Sequence, residues 1–202
     1  MRIGPKYKIA RRLGAPIFEK TQTPKYALSL ARKERTGSRD RGRPKSEFGR
    51  ALIEKQKARY SYGLGERQFR KYVEQAFRAT NPVQKLFSIV ETRLDNVLFR
   101  AGLSKTRAQA RQAASHGHTT VNGRRVTVPS ILLSLGDVVG LRPSSATGLL
   151  FADAGERMKA TSAPTWLKVD PALRQVTVEG QPVYVPREHV FDLGVVIEFY
   201  NR

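Results

Sequence analysis

Apolar residues recur at intervals of three and four from Ser46 to Leu94, which is the spacing of one face of an α-helix. This pattern predicts three consecutive helices. The first follows Ser46 and has the apolar positions Phe48, Leu52 and Ile53. The second follows Gly65 and has the apolar positions Phe69, Val73, Ala76 and Phe77. The third begins with Asn81 as cap and Pro82 as first helical residue, and its apolar positions are Val83, Leu86, Phe87, Val90 and Leu94.

The second half of the chain has the shorter alternation that is typical of β-strands. Val121 and Val126 flank Asn122 and Gly123, a pair that supplies the positive backbone torsions of a two-residue hairpin turn. Later runs separated by Pro, Gly and Asp predict further strands: DVVGLR, KVD, RQVTVEG, VYVP and VVIEFY. Helices followed by strands, rather than an alternation of the two, predict an α+β fold with a small antiparallel sheet.

A basic helix is predicted directly before the hairpin. Ser104 is its expected N-cap, and Gly117 is placed to end it in a left-handed turn. Arg107 and Arg111 are four residues apart and share one face, with Lys105 near the start. We expect long cationic side chains to point outward while an alanine face lies against its support: Ala108, Ala110, Ala113 and Ala114. A solvated face without a ligand has the same spacing.

The charge of the chain favours a polyanionic partner. There are 37 Lys and Arg against 17 Asp and Glu, a formal net charge of +20 on 202 residues. Nucleic acid is the expected partner, because each neutralised phosphate releases condensed counterions. An anionic membrane is the rival, but no stretch approaches the ~20 apolar residues of a spanning helix. The first residues also lack the apolar core of a secretory signal, so a cytoplasmic protein without a membrane partner is expected.

Residue types suited to catalysis or metal binding are few. Cysteine is absent, which excludes disulfides, thiolate zinc sites and cysteine nucleophiles. His116 and His118 flank Gly117, where capping, packing or a phosphate contact is favoured over metal ligation. Asp95 and Asp137 are isolated carboxylates, expected in an ion pair with Arg93 and in a turn. With no Walker-type phosphate loop and no zinc-deaminase signature, we expect no catalysis, no cofactor, no metal and no small-molecule substrate.

Several long segments resemble the family of bacterial small-subunit ribosomal protein four. They occur in order along the chain: KYKIARRLG, EKQKARYSYGLGERQFRKYV, RLDNVLFRAG, TRAQARQAASHG, VNGRRV, PTWLKVD and the terminal VVIEFYNR. The resemblance implies a helical domain with an inserted RNA-binding module, which together bind small-subunit ribosomal RNA at a multi-helix junction. Many family members hold zinc with cysteines in the N-terminal extension. Residues 21–40 contain none here, so an extension held by RNA and packing is expected.

The family role that the resemblance implies is structural. Members help to begin subunit assembly, influence decoding accuracy and lie beside ribosomal protein five, near the point where messenger RNA enters the subunit. The implied location is therefore the ribosome, with an organellar ribosome left open. Two other functions also stay open. Similar small modules are appended to RNA-modifying enzymes such as pseudouridine synthases, and a factor that rescues stalled ribosomes would use the same module.

Four segments are expected along the chain. Residues 1–45 form a basic N-terminal extension with few apolar anchors, in which short helices can form. Residues 46–92 form a helical ribosomal-RNA-binding domain that C-terminal residues complete. Residues 93–155 form the RNA-binding module with its helix pair and Asn-Gly hairpin. Residues 156–202 form a β-rich C-terminal part that packs on both.

The expected RNA contacts are mostly Arg and Lys, because a guanidinium can bridge two phosphate oxygens and RNA helices are recognised by shape and backbone. In the extension they are Lys6, Lys8, Arg11 and Arg12. On the helices they are Lys55, Lys57, Arg59, Arg67 and Arg70. In the module they are Arg93, Lys105, Thr106, Arg107, Arg111, His116, Asn122 and Arg124. Tyr60 and Tyr62 either stack on bases or pack against the neighbouring helix.

Overall fold

A computed structural model of the chain describes residues 3–35 and 46–201. It divides the chain into two compact units. We call residues 1–86 together with 185–202 unit 1, and residues 87–184 unit 2. Helices and a small antiparallel sheet are both present, so the predicted α+β class is confirmed. The four expected segments stay a prediction.

In the described part of the chain the helices are α1 (Lys6–Leu13), α2 (Pro24–Arg35), α3 (Glu47–Ser61), α4 (Glu66–Ala76), α5 (Pro82–Glu91), α6 (Leu94–Arg100), α7 (Arg107–Ser115), α8 (Pro143–Ala146), α9 (Ala154–Ala160) and α10 (Leu193–Asn201). The strands are β1 (Thr119–Val121), β2 (Arg124–Val126), β3 (Val138–Leu141), β4 (Leu167–Asp170) and β5 (Gln175–Val178). Short 3-10 helices occupy Glu19–Gln22, Leu149–Phe151 and Pro186–Glu188.

Residues 3–35 of unit 1 contain two helices and a small apolar core. α1 ends at Gly14, whose φ of 68° lies in the left-handed region that glycine adopts without strain. The chain then returns, so that Ala10, Phe18 and Tyr26 are buried together. Tyr60 of α3 packs against this cluster, with its ring centroid 6.1 Å from that of Phe18. Short helices, which were expected to be possible here, are therefore present, and Leu13 and Phe18 are buried.

Helices α3 and α4 form as predicted, and Phe69, Val73 and Ala76 of α4 are buried as predicted. The hydroxyl of Ser46 caps α3 by accepting a hydrogen bond from the Gly49 N–H at 3.1 Å. Phe48 is 55% exposed, so its predicted place in the buried face is wrong. The buried positions of α3 are Ala51, Lys55 and Ala58. The prediction is also wrong for Phe77, which is partly exposed because α4 ends at Ala76 and the chain leaves the buried stripe there.

The segment VVIEFY was predicted to be a strand, and this prediction is wrong because Leu193–Asn201 form the helix α10. Its Phe199 ring lies 5.4 Å from Phe48 of α3, and its Tyr200 ring lies 6.3 Å from Phe69 of α4. Packing of these aromatic residues against two helices outweighs the β propensity of the local sequence. The segment VYVP, residues 183–186, is likewise not a strand.

The cap predicted for α5 is confirmed, since the Asn81 side chain accepts a hydrogen bond from the Gln84 N–H at 3.1 Å. Three of the predicted apolar positions are buried: Leu86, Phe87 and Val90. Leu94 is also buried, but it begins the separate helix α6.

Unit 2 contains a five-stranded antiparallel sheet in the order β2-β1-β3-β5-β4. The predicted hairpin joins β1 and β2, with Val121 opposite Arg124. Asn122 and Gly123 have φ values of 51° and 77°, so the positive torsions expected of this turn are confirmed. One face of the sheet joins the helices in a shared core that includes Leu98, Val139 and Val176.

Helix α7 begins two residues later than predicted. Thr106, and not Ser104, is the N-cap, because the Thr106 hydroxyl accepts a hydrogen bond from the Gln109 N–H at 2.9 Å. Gly117 ends the helix with a φ of 71°, as predicted. Three of the four alanines lie in the core: Ala110, Ala113 and Ala114. Ala108 is exposed, so its predicted place on the buried face is wrong.

Candidate nucleic-acid interface

Helix α1 carries the expected contacts of the extension. Lys6, Lys8 and Arg12 are exposed on this helix. Arg11 is half-buried, and its Nε donates a hydrogen bond to the Tyr7 carbonyl at 3.2 Å. A basic, solvent-facing helix surface therefore begins unit 1. The segment Gly37 to Lys45, which is rich in Arg, lies outside the described residues.

The five expected contacts on α3 and α4 fall into two groups. Lys55 is only 7% exposed, with its ammonium 2.8 Å from Glu66 Oε1 and 4.8 Å from the centroid of the Phe199 ring. Lys57 lies 2.7 Å from Glu54, and Arg59 is bound to Gln56 and lies 3.4 Å from Glu66. These three side chains are largely buried and paired within unit 1, so they serve its packing.

Helix α4 presents the exposed group. Three exposed cations lie along one side of this helix, namely Arg67, Arg70 and Lys71. Arg70 follows Arg67 by three residues and Lys71 follows it by four, which is the spacing of one helix face. Arg70 is 68% exposed even though it pairs with Glu74 at 3.0 Å. We call Arg67, Arg70 and Lys71 the α4 basic face. Lys71 was not among the expected contacts, although its spacing from Arg67 in the sequence already placed it beside them.

A polar cluster fixes the C-terminal helix in unit 1. The Tyr200 hydroxyl donates a hydrogen bond to Glu66 Oε1 at 2.7 Å, next to Lys55. Burial would raise the pKa of Glu66, but hydrogen bonds from Lys55 and Tyr200 outweigh it and hold that pKa below its ordinary value. Burial, reinforced by the bond to Glu66, raises the pKa of the Tyr200 hydroxyl.

Tyr62 is buried with its ring 5.9 Å from Phe191, so both Tyr60 and Tyr62 are packing residues.

In unit 2 the arginines of α7 are bound by residues of α6. Arg111 donates from Nε to Asp95 Oδ2 at 2.8 Å, and its side chain is 28% exposed. Asp95 is buried and also pairs with buried Arg93 at 2.8 Å, as predicted for Arg93 and Asp95. Arg107 donates from Nε to Asn96 Oδ1 at 2.7 Å, with its guanidinium 4.4 Å from the Phe99 ring centroid. Both arginines are therefore half-buried and bound to α6, whereas the sequence predicted that they point outward.

The other expected contacts of the module lie at the two ends of α7 and on the hairpin. Lys105 is exposed and lies 3.1 Å from Asp153, while the Thr106 hydroxyl caps the helix. His116 and Arg124 are exposed. The Asn122 side chain binds within the unit, to Asp137 at 2.7 Å and to the Val138 N–H at 2.9 Å. Asp137 also accepts from the Ser134 N–H at 2.7 Å, which confirms its predicted place in a turn.

Arg125 lies against the end of α7 and was not among the expected contacts. A side-chain carbon at Gly117 would lie 2.2 Å from the Arg125 Nε, so the guanidinium crosses the glycine backbone. Its Nη2 donates to the His116 carbonyl at 3.4 Å. A cation at this position complements the negative end of the helix dipole. Arg125 therefore adds an exposed cation at the C-terminal end of α7.

Within residues 3–35 and 46–201, no group of three or more His, Asp or Glu side chains is arranged to hold a metal ion. No described helix is long and apolar enough to span a bilayer.

Comparisons with known proteins agree with this arrangement. A model described as ribosomal protein S4/S9 N-terminal domain matches residues 1–94, and a model described as S4 domain matches residues 92–139. The small ribosomal subunit protein uS4 of Roseiflexus castenholzii is 40% identical, over 99% of this chain and 98% of the relative. The uS4 proteins of Chloroflexus aurantiacus and Cutibacterium acnes are each 39% identical, over at least 98% of both chains.

The fold and these matches define a ribosomal protein that carries an S4 domain. Full-length identity of about 40% goes further, because it links the whole chain, and not only one domain, to a single group of proteins. The chain belongs to the uS4 family of small ribosomal subunit proteins. The resemblance found in the sequence is thereby confirmed, and the family is one of structural ribosomal proteins rather than enzymes.

Proposed function

We propose that this chain is a structural constituent of the small ribosomal subunit and binds its ribosomal RNA directly at a multi-helix junction. The observation that carries direct RNA binding is the α4 basic face, which is exposed within the region that matches the ribosomal N-terminal domain. The preference for a junction is assigned to the oriented arginines of α7. Three solvent-facing cations on one side of a rigid helix suit consecutive phosphates of an RNA strand. The net charge of +20 supplies the long-range attraction.

Recognition in this proposal depends on the shape of the RNA backbone. A-form RNA has a narrow major groove that side chains do not enter, so phosphates and 2′-hydroxyls at junctions are the accessible features. The exposed cations of α1 and α4 supply charge, and the arginines of α7 supply fixed guanidinium groups. Exposed charge attracts any RNA, whereas guanidinium groups in fixed orientations favour the phosphate geometry of a particular fold.

Finer roles follow from the family resemblance and belong to the same proposal. They are an early place in subunit assembly, an influence on decoding accuracy, and neighbours that include ribosomal protein five and messenger RNA where it enters the subunit. We place that ribosome in the cytoplasm, because the relatives named above come from bacteria.

An RNA-modifying enzyme and a ribosome-rescue factor were the two alternatives. An enzyme with an appended RNA-binding module needs a second, catalytic domain. This chain instead aligns with ribosomal proteins over 98% of their own length, which favours a ribosomal constituent. A rescue factor would bind the small subunit only transiently, at less than one copy of the protein per subunit.

Quantitative co-sedimentation tests the proposal. The full chain is added to small subunits reconstituted without their own uS4 protein, and the bound amount is measured after washing at moderate salt. We expect one copy per subunit that resists the wash. Binding that stays well below one copy, or that the wash removes completely, would contradict a structural role. Uridine modification of small-subunit RNA fragments by the purified chain would favour the enzyme instead.

A further inference from the structure

Two consecutive residues at the start of α6 contact both arginines of α7. Asp95 accepts a hydrogen bond from Arg111, and Asn96 accepts one from Arg107. Asp95 and Asn96 are each 2% exposed, so they are fixed in the core of unit 2. The two arginines are half-buried, and their hydrogen-bond partners are buried. Arg111 lies 16 positions after Asp95 in the sequence, and Arg107 lies 11 positions after Asn96. The spacing of residues within one helix does not predict these two contacts.

Asn96 is the middle member of a chain of hydrogen bonds. Its Nδ2 donates to Glu91 Oε2 at 2.8 Å and to the Glu91 carbonyl at 3.0 Å. Its Oδ1 accepts from Arg107 Nε at 2.7 Å. Glu91 is 1% exposed and accepts two further bonds from Arg100, at 2.9 and 2.6 Å. The order is therefore Arg100, Glu91, Asn96 and Arg107.

A side-chain amide has the chemistry that this position needs. It supplies two donors, toward the Glu91 carboxylate and the Glu91 carbonyl, and an acceptor toward the Arg107 guanidinium, whereas a hydroxyl of similar size has a single donor. An aspartate has no donor and would oppose Glu91, and a leucine has neither group. Because the Glu91 carboxylate is buried, it fixes which end of the amide faces it, and the oxygen is left to face Arg107.

The guanidinium of Arg107 has a second contact, with an aromatic ring. It lies 4.4 Å from the centroid of the Phe99 ring, at a stacking distance that favours a cation. The hydrogen bond to Asn96 and the ring contact together restrict the orientation of the Arg107 side chain. A planar fork in a fixed orientation distinguishes phosphate geometries, whereas a mobile charge attracts any of them.

We infer that Asn96 is a specificity-determining, positioning residue, which orients Arg107 so that this arginine favours the phosphate geometry of a branched RNA over that of an unrelated RNA. The inference rests on the proposed function, because it concerns how the same chain selects its RNA. It assigns Asn96 no contact with RNA. It predicts that the loss of Asn96 lowers selectivity through Arg107.

The test is a double-mutant cycle on the full chain. Affinities are measured for a small-subunit RNA fragment that contains a multi-helix junction and for an unrelated RNA of equal length, at near-physiological salt. The variants are Asn96→Leu, Arg107→Ala and the double variant. Leucine fills the volume of Asn96 and leaves Glu91 its bonds to Arg100. We expect Asn96→Leu to lower the junction preference about fivefold to tenfold in the wild-type chain, and by less than about twofold when Arg107 is already absent.

A control cycle pairs Asn96→Leu with Lys105→Ala. Lys105 is an exposed cation at the start of the same helix that the chain of hydrogen bonds does not include, so these two effects should add. Arg107→Lys is measured as well, since it keeps the charge and removes the fork. It should lose the junction preference nearly as fully as Arg107→Ala. This variant tests the inference even if Asn96→Leu does not fold.

The possible outcomes separate the inference from the proposed function. Equal losses from Asn96→Leu with and without Arg107, or a lysine at position 107 that keeps the full preference, would overturn the inference. A wild-type chain that binds both RNAs equally would instead overturn the proposed function itself. A merely structural role for Asn96 lowers the free energy of unfolding and both affinities together, and it leaves the preference unchanged.

Discussion

Unit 1 and unit 2 carry cations in different ways. Unit 1 has 25 Lys and Arg against 10 Asp and Glu, and many of its cations stand exposed on α1 and α4. Unit 2 has 12 against 7, and two of its acidic residues, Glu91 and Asp95, are buried and bind arginines. A high density of mobile charge gives affinity for any polyanion, whereas few but oriented charges give selectivity. We therefore expect unit 1 to supply most of the affinity for RNA and unit 2 to supply most of the selectivity.

Among the predicted effects, removal of the buried carboxylate of Asp95 should lower the free energy of unfolding most. Replacing Asp95 by Leu removes the carboxylate that pairs with buried Arg93, which costs about 3–5 kcal/mol for a buried pair. The exposed pair of Lys168 and Glu179 is the control, and Glu179→Gln should cost less than about 1 kcal/mol. Chemical denaturation of both variants gives these values. Equal costs would remove the distinction between buried and exposed charges.

The α4 basic face should dominate the salt dependence. Changing Arg67, Arg70 and Lys71 together to Ala should lower affinity for junction RNA and unrelated RNA alike. The slope of log affinity against log salt should become shallower by roughly two to three units, about one per lost phosphate contact. Filter binding at several salt concentrations measures this. If the variant loses junction preference but keeps its slope, the roles assigned to the two units are reversed.

The turn at Gly117 should show a smaller effect. Its φ of 71° is unfavourable for a residue with a Cβ, and that atom would also meet the Arg125 guanidinium. Gly117→Ala should lower the free energy of unfolding by about 1–2 kcal/mol. Adding Arg125→Ala should recover the part that comes from the clash and leave the part that comes from φ. A full recovery would show that the backbone torsion costs nothing.

The smallest effect concerns pH and belongs to unit 1. The pKa of Tyr200 is raised by burial and by its bond to Glu66, so its stabilising effect is complete at neutral pH and is lost as rising pH ionises the hydroxyl. The pKa of Glu66 is lowered, so its contribution is lost as pH falls through that value. Tyr200→Phe should flatten the alkaline limb of stability against pH. An unchanged alkaline limb would contradict this assignment.

Local signals in the sequence predicted much of this fold. Ser46, Asn81 and the Asn-Gly pair specify caps and a turn through their own backbone chemistry, so they could be predicted without knowledge of the neighbours. The start of α7 was also encoded, since Thr106 precedes Gln109 by three residues in a capping pattern. Ser104 has no glutamine or glutamate three residues later, so it is the weaker cap signal of the two.

Features that depend on distant contacts could not be predicted. α10 consists of residues with high β propensity, and its helix depends on packing against α3 and α4. The shared face of Arg107 and Arg111 followed from helical spacing, but their partners Asn96 and Asp95 come from another helix. Similarly, Lys55 had the sequence context of a surface cation, and only the fold buries it beside Glu66.

The central claim is that cations held in a fixed arrangement select a branched ribosomal RNA. The most direct measurement is the ratio of two dissociation constants for the full chain at near-physiological salt. One is for the junction-containing fragment of small-subunit RNA, and the other is for an unrelated RNA of equal length. The account predicts a preference of at least about tenfold for the junction, since fixed contacts add to charge. Equal dissociation constants would contradict it.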